Sequence, residues 1–173
     1  MDMLDFDVHG LYFEEPLCEE AAACLECAAQ NYGDPAAEQA LYRAYFITPR
    51  HPMVLVALYR FFYYQQRLPD ALLVAERVLT IYAEQLELPA DWRQLSDVRL
   101  PEDNSNYMTG LRFYLLALKG SAYLQLRMGD YEPAILRLKK VLELDEKDRL
   151  GARILIDVAQ VELNRRSFHI VGQ

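Results

Sequence analysis

The polar and apolar positions of this sequence repeat with the period of an α-helix over most of the chain. From Pro16 to Arg166, apolar residues recur at intervals of three and four, and no strand-like alternation of useful length appears. Short breaks containing Pro, Gly and Asp separate the periodic stretches. The pattern predicts an all-α fold with helices at about residues 16–31, 35–47, 52–66, 69–86, 107–128, 131–144 and 148–165.

The predicted helices form pairs that repeat along the chain. Ala37 and Ala71 occupy equivalent places in the second helix of two pairs and lie 34 residues apart, which is the tetratricopeptide period. In a third pair, GDYEPAILRLKKVLELD (129–145) carries Gly129, Asp130 and Ala134 where that family has its turn and second helix. The chain therefore resembles the tetratricopeptide repeat (TPR) family.

This resemblance implies a TPR-like solenoid of helical hairpins, with residues 1–173 forming a single domain. The implied parts are an N-terminal extension at 1–15, divergent repeats at 18–51, 52–85 and 115–148, and a C-terminal capping helix at 149–166. Ala71 and Ala134 are 63 residues apart, which exceeds one 34-residue period. An insertion at 86–114, which includes the start of a long helix, is therefore predicted between the second and third repeats.

The predicted insertion contains Trp92, the only tryptophan, and ends in the loop-like PEDNSN (101–106). Pro89, Ala90 and Asp91 can open a short helix that places Trp92 and Leu95 on one side. Two roles stay open for this segment: it covers the exposed ends of neighbouring helices, or it is a mobile recognition lid.

Four consecutive aromatic residues, Phe61 to Tyr64, lie in one predicted helix. Because successive helical residues advance by about 100°, these side chains cannot all face one core. In TPR proteins the first helix of each pair lines the concave groove. Carrying the groove positions over residue by residue implies a partner-binding set of Met53, Val56, Arg60, Tyr63, Tyr64, Lys119, Tyr123, Arg127 and Arg153, with Glu19 and Glu26 at an acidic end.

The segment CLEC (24–27) has a cysteine spacing that occurs in zinc and thiol-exchange sites. All three cysteines, Cys18, Cys24 and Cys27, lie within ten residues, and the histidines are scattered elsewhere. Cys24 and Cys27 share one face of a predicted helix, where cysteine behaves as a small apolar residue. Structural packing is therefore favoured over metal or redox chemistry, and no metal or cofactor is expected.

The net charge of −8 is concentrated near the N-terminus, since residues 1–42 hold ten of the 26 acidic residues and none of the 18 Lys and Arg. An acidic surface of this kind disfavours nucleic acid and anionic membranes as partners, and favours a basic protein surface. No apolar run is long enough to span a bilayer, and no signal peptide is apparent. A cytoplasmic location is expected.

No catalytic motif is apparent in the sequence. It lacks a glycine-rich phosphate loop, a nucleophile elbow, a paired-histidine metal helix and an acidic calcium loop. The expected role is therefore non-catalytic protein binding.

A second resemblance narrows this role. The segments YRAYFITPRHPMVLVALYRFFYYQQRLPDAL (42–72), LRFYLLALKG (111–120) and LDEKDRLGA (144–152) resemble the small TPR proteins of proteobacterial nitrogen-fixation gene clusters, the nitrogenase-associated factor T type. This resemblance implies an assembly, maturation or repair factor that binds the molybdenum–iron nitrogenase component or its immature form.

Three alternatives stay open. One is a type III secretion class of chaperone for a translocator protein, against which the insertion around Trp92 counts. Another is a redox or metal protein that uses the N-terminal cysteines. The third is a self-associating subunit, such as a homodimer formed through aromatic surface on the helix at 52–66.

Overall fold

The computed structural model describes the backbone of residues 16–95 and 105–171, and the side chains of these ranges except 105–106 and 167–171. The described residues form seven α-helices and one 3-10 turn, and no strand occurs among them. The helices are α1 (Glu19–Gln30), α2 (Pro35–Ile47), α3 (Pro52–Tyr64), α4 (Leu68–Gln85), α5 (Ser105–Met128), α6 (Tyr131–Leu144) and α7 (Ala152–Val171), with the 3-10 turn at Trp92–Gln94. The predicted all-α class is confirmed for this part of the chain.

Proline and capping residues fix where the second and third helices begin. Asp34 caps α2 by accepting a hydrogen bond from the Ala36 amide at 2.8 Å, and Pro35 follows as the first helical residue. His51 caps α3 in the same way through the Met53 amide, with Pro52 next. These starts agree with the sequence prediction because both signals are local.

The start of α7 differs from the predicted position at residue 148. Asp148 adopts a positive φ of 49°, and its carboxylate accepts hydrogen bonds from the Ala152 amide at 2.6 Å and from the Arg153 amide. The residues between form a turn, so that α7 begins only at Ala152. The predicted extension at 1–15 and residues 96–104 of the predicted insertion lie outside the described residues.

The helices stack in chain order as three antiparallel hairpins, α1/α2, α3/α4 and α5/α6, with α7 packed on α6. Next-but-one helices also touch, since α1 contacts α3 and α5 contacts α7. Ala37, Ala71 and Ala134, one in each second helix, are completely buried, and their small side chains let neighbouring helices approach closely. The arrangement is compatible with a helical solenoid.

The joint between α4 and α5 contains buried aromatic residues from both helices. Tyr82 on α4 meets Phe113 on α5 edge to face, with ring centroids 4.9 Å apart. Gly110 lets the two helices close tightly, because a Cβ at this position would lie 3.1 Å from Leu86 Cδ2 and 3.5 Å from Tyr82. Most side chains between residues 113 and 122 of α5 are consequently inaccessible.

Residues 86–95 of the predicted insertion pack against the folded helices. Asp91 accepts a hydrogen bond from the Arg93 amide and so begins the 3-10 turn. Trp92 and Leu95 are buried, as expected of a covering segment. Lys140 on α6 donates to the Leu95 carbonyl at 2.8 Å, which holds the end of this stretch against α6.

The buried phenol of Tyr114 gives the fold a dependence on alkaline pH. Burial, followed by the nearby Glu76 carboxylate, raises the Tyr114 pKa from 10.0 to about 12. Because only the unfolded state ionises between these values, the contribution of Tyr114 is complete below pH 10 and is lost as the pH rises toward 12. Denaturant unfolding at pH 8 and pH 11 should therefore show a smaller loss of stability in Tyr114→Phe than in the parent chain, and an equal loss in both would contradict the assignment.

Candidate protein-binding surface

The aromatic run at the end of α3 divides between core and surface, as its helical spacing predicts. Phe61 and Phe62 are buried, Tyr63 is half-buried, and the Tyr64 side chain is 59% exposed. The rings of Tyr63 and Tyr64 meet edge to face, with centroids 5.4 Å apart. The last turn of α3 therefore presents two tyrosines at the surface.

A hydrogen-bonded cluster joins this turn to the end of α5. The Tyr63 and Tyr123 hydroxyl oxygens are 3.3 Å apart. Arg127 Nη1 donates to Tyr63 Oη at 3.2 Å, and its Nη2 donates to Gln66 Oε1 at 3.1 Å. These four residues, Tyr63, Gln66, Tyr123 and Arg127, are called the tyrosine–arginine cluster below.

Helical spacing places the cluster residues together. Tyr123 and Arg127 lie four residues apart on one face of α5. No Cα of α3 lies within 8 Å of a Cα of α5 among the described residues. Long side chains therefore span the space between the two helices, and the cluster is where they meet.

Arg127 is an exposed cation held by neutral groups. Its hydrogen bond with Tyr123, followed by the interactions with Tyr63, raises the Arg127 pKa above its usual value, so the guanidinium stays charged. Among the described residues, none of its contacts is to a carboxylate. The positive charge is thus positioned but not neutralised, and a carboxylate on another protein can pair with it.

Tyr32, in the turn between α1 and α2, lies close to the exposed end of α3. Its side chain is 55% exposed, and its ring meets Phe61 edge to face at 6.1 Å between centroids. Burial, followed by the proximity of Tyr64, raises its pKa. Sequence reasoning did not select Tyr32, because its contact with α3 depends on how the hairpins pack.

The other predicted groove residues have different environments. Val56 and Lys119 are only 1% and 4% exposed, so neither offers surface to a partner in this conformation. Their helices are covered there, α3 by α4 and α5 by both α4 and α6. Met53 and Arg60 are half-buried, Arg153 is exposed on α7, and the predicted insertion residue Trp92 belongs to the core.

The acidic end predicted on α1 is exposed. Both Glu19 and Glu26 face solvent, and Glu26 accepts a hydrogen bond from Gln30 at 3.1 Å. Their neighbour Glu20 pairs with Arg43 on α2 at 2.7 Å, which partly neutralises this end.

The three cysteines occupy different environments. Cys24 is buried, whereas Cys18 and Cys27 are exposed. The predicted packing is therefore confirmed for Cys24 and wrong for Cys27, whose side chain lies beyond the edge of the buried stripe of α1. No group of three or more His, Cys, Asp or Glu suited to a metal ion occurs within the described ranges.

Comparison with known proteins finds one informative relative. An uncharacterized 19.8 kDa protein in the nifW 5′ region of Azotobacter chroococcum mcd 1 is 46% identical over 158 residues, which cover 91% of this chain and 88% of that protein. The chain belongs to the family of this 19.8 kDa protein. No family model and no solved structure matches this chain. Among the residues that the structure describes, no helix is sufficiently long and apolar to span a membrane.

The protein also contains a largely buried arginine that no sequence pattern indicated. Arg137 on α6 pairs with Glu76 on α4 at 2.6 Å and donates to Ser121 Oγ on α5 at 2.8 Å. Its guanidinium carbon lies 5.3 Å from the centroid of the Trp92 ring. One side chain thus connects three helices with the 3-10 turn, which makes its role structural.

Proposed function

We propose that this protein is a non-catalytic adaptor or chaperone that acts in nitrogen fixation by binding an acidic segment of a protein partner at the tyrosine–arginine cluster. The observation that carries this proposal is Arg127, an exposed guanidinium that is oriented by two tyrosines and a glutamine and has no carboxylate partner among the described residues. The place of the relative in the nifW 5′ region supports the link to nitrogen fixation.

Within this proposal the helical hairpins are divergent TPR units. Support comes from Ala37, Ala71 and Ala134, which are completely buried in the second helix of their respective hairpins. The 34-residue spacing between the first two alanines also agrees with that family's period. On this arrangement α3 and α5 are groove-lining helices, and the cluster lies between them.

The proposed binding combines charge with aromatic contact area. A partner carboxylate pairs with Arg127, which can offer its remaining N–H donors in a planar fork. The exposed rings of Tyr64 and Tyr32 supply apolar contact at a small loss of conformational entropy. Tyrosine and arginine are enriched among the residues that dominate protein interfaces, so these few residues are sufficient to anchor a short segment.

The proposed partner is the molybdenum–iron nitrogenase component in its immature form. A chaperone of this kind binds an incompletely ordered state, shifts the population toward that state and shields its surface until maturation is complete. The support is the nif-region relative together with the resemblance to nitrogenase-associated TPR proteins.

Alanine at Arg127 or Tyr64 is expected to weaken partner binding by at least about tenfold, as residues that dominate an interface do. Titration calorimetry against purified molybdenum–iron protein, in its mature and its metal-cluster-free forms, measures the effect. Arg149→Ala provides a matched control, since Arg149 is also an exposed arginine but lies far along the chain in the turn before α7. Circular dichroism should show that all three variants fold.

Two outcomes count against the proposal in different ways. If the parent chain binds neither form of the molybdenum–iron protein, the nitrogenase partner is wrong. If it binds and Arg127→Ala and Tyr64→Ala bind equally well, the partner is right and the tyrosine–arginine cluster is not the binding site.

A further inference from the structure

An apolar cleft lies between α2 and α4, away from the tyrosine–arginine cluster. Its volume is about 220 Å³. Leu55, Leu58 and Phe62 of α3 form its floor, while Tyr42 of α2 and Leu73 and Val74 of α4 contribute to its walls. Short turns join α2 to α3 and α3 to α4, so α2 and α4 both run antiparallel to α3 and lie parallel to each other on either side of the cleft.

The rims of this cleft expose large apolar side chains. Leu73 is 69% exposed and Tyr42 is 47% exposed. Phe46, one turn beyond Tyr42 on α2, is 89% exposed. Single exposed apolar residues are common on protein surfaces, but several beside one apolar cleft are typical of an interaction site.

One end of the cleft is closed by an ion cluster in which a single arginine pairs with two carboxylates. Arg67 pairs with Glu38 at 2.6 Å and with Asp70 at 2.7 Å, and its guanidinium carbon lies 4.6 Å from the centroid of the Phe62 ring. Because Glu38 and Asp70 lie in the first turns of α2 and α4, this cluster ties the two helix starts together. Its charges are already satisfied and offer little to a partner.

The other end of the cleft carries a single unsatisfied charge. Arg77 lines the cleft and is exposed, and no hydrogen bond or ion pair joins it to any residue within the described ranges. Phe46 lies eight residues after Glu38 on α2, which is about 12 Å along the helix axis. Arg77 lies seven residues after Asp70 on α4, which is about 10 Å along that axis. The exposed phenylalanine and the arginine therefore lie at similar heights along the two helices, both away from the ion cluster.

We propose that this cleft binds an acidic amphipathic helix of a partner protein. A large apolar side chain of that helix fills the pocket over Leu58 and Phe62, and an Asp or Glu within one turn of it pairs with Arg77. A groove between two parallel helices suits a third helix, which presents apolar anchors at intervals of three or four residues. Charge complementarity selects an acidic helix, because Arg77 is the only charge lining the cleft without a described partner.

Selection from a library of random 16-residue peptides tests this proposal with the full chain as bait. A Phe46→Ser/Arg77→Glu chain serves for counter-selection, and both substitutions are at exposed positions, so the fold should be retained. The expected result is enrichment of peptides with large apolar residues at i and i+3 or i+4 and an acidic residue within a turn. No enrichment, or enrichment of basic peptides, would overturn the proposal.

A labelled form of the most enriched peptide then locates its binding site. Leu73→Ser and Arg77→Glu should each weaken binding by at least about tenfold, and replacing the peptide's acid by lysine should restore binding to Arg77→Glu. Leu136→Ser, at a 54% exposed leucine on α6, and Arg127→Ala should bind like the parent chain. Equal binding to Arg77→Glu would overturn the proposal.

Sedimentation equilibrium tests the other possible occupant of the cleft, a second copy of this chain. Self-association of the parent chain that Leu73→Ser abolishes would show that a second copy fills the cleft, and would overturn the proposal.

Discussion

Replacing Trp92 by alanine is expected to lower the free energy of unfolding by about 3–4 kcal/mol, as for other large buried aromatic residues. Trp92 is only 8% exposed, and its ring lies near the guanidinium groups of both Arg93 and Arg137. The substitution leaves a cavity beside α6 and removes both cation–π contacts. A loss of this size would show that the segment before residue 96 stabilises the fold.

Urea unfolding followed by circular dichroism measures this loss, because the variant lacks the only tryptophan. Gln94→Ala is a suitable control, since Gln94 belongs to the same 3-10 turn but is exposed, and it should change stability by no more than about 0.5 kcal/mol. In the parent chain, tryptophan emission should be blue-shifted relative to the unfolded state. A small effect of Trp92→Ala together with red-shifted emission would mean that this segment does not pack against α6 in solution.

The helices could be predicted from sequence because their signals are local. The Asp34-Pro35 and Pro52 starts and the periodic apolar residues fix α2 and α3 without knowledge of any neighbour. The start of α7 could not be fixed in this way. It depends on Asp148, which adopts a positive φ and whose carboxylate turns back onto the Ala152 amide.

The candidate binding surface could be predicted only in part, because groove positions carried over from the TPR family identify a face but not what covers that face. Three residues of the set implied by the resemblance, Tyr63, Tyr123 and Arg127, do contact one another. The same set included Val56 and Lys119, which neighbouring helices bury. Gly110 permits α5 to pack closely along α4, and this contact buries the central part of α5. No local sequence pattern predicts that packing.

The cysteines show the same limit within a single helix. Cys24 and Cys27 are separated by three residues and so point about 60° apart around α1. Spacing alone assigns them to one face, but the buried stripe of α1 is narrow, with only Ala21, Cys24 and Ala28 inside it. That difference of about 60° is enough to place Cys27 in solvent.

Arg137→Ala is expected to lower the free energy of unfolding by about 2–3 kcal/mol, somewhat less than is usual when one partner of a fully buried ion pair is removed. The Arg137 side chain is 11% exposed, whereas its partner Glu76 is 40% exposed and can be rehydrated. The Ser121 hydroxyl, which also donates to the Leu118 carbonyl, loses a buried donor. Unfolding in urea measures the loss, and a double-mutant cycle with Glu76→Ala isolates the contribution of the ion pair.

The matched control for Arg137 is Arg165, which pairs with Glu162 at 3.0 Å on the surface of α7. Because the Arg165 side chain is 73% exposed, Arg165→Ala should change stability by no more than about 0.5 kcal/mol, and by less still at 1 M salt. The loss in Arg137→Ala should persist at that salt concentration, since water and ions scarcely reach the guanidinium. Equal losses in the two variants would mean that Arg137 is solvated in solution and that α4, α5 and α6 are held together by apolar packing alone.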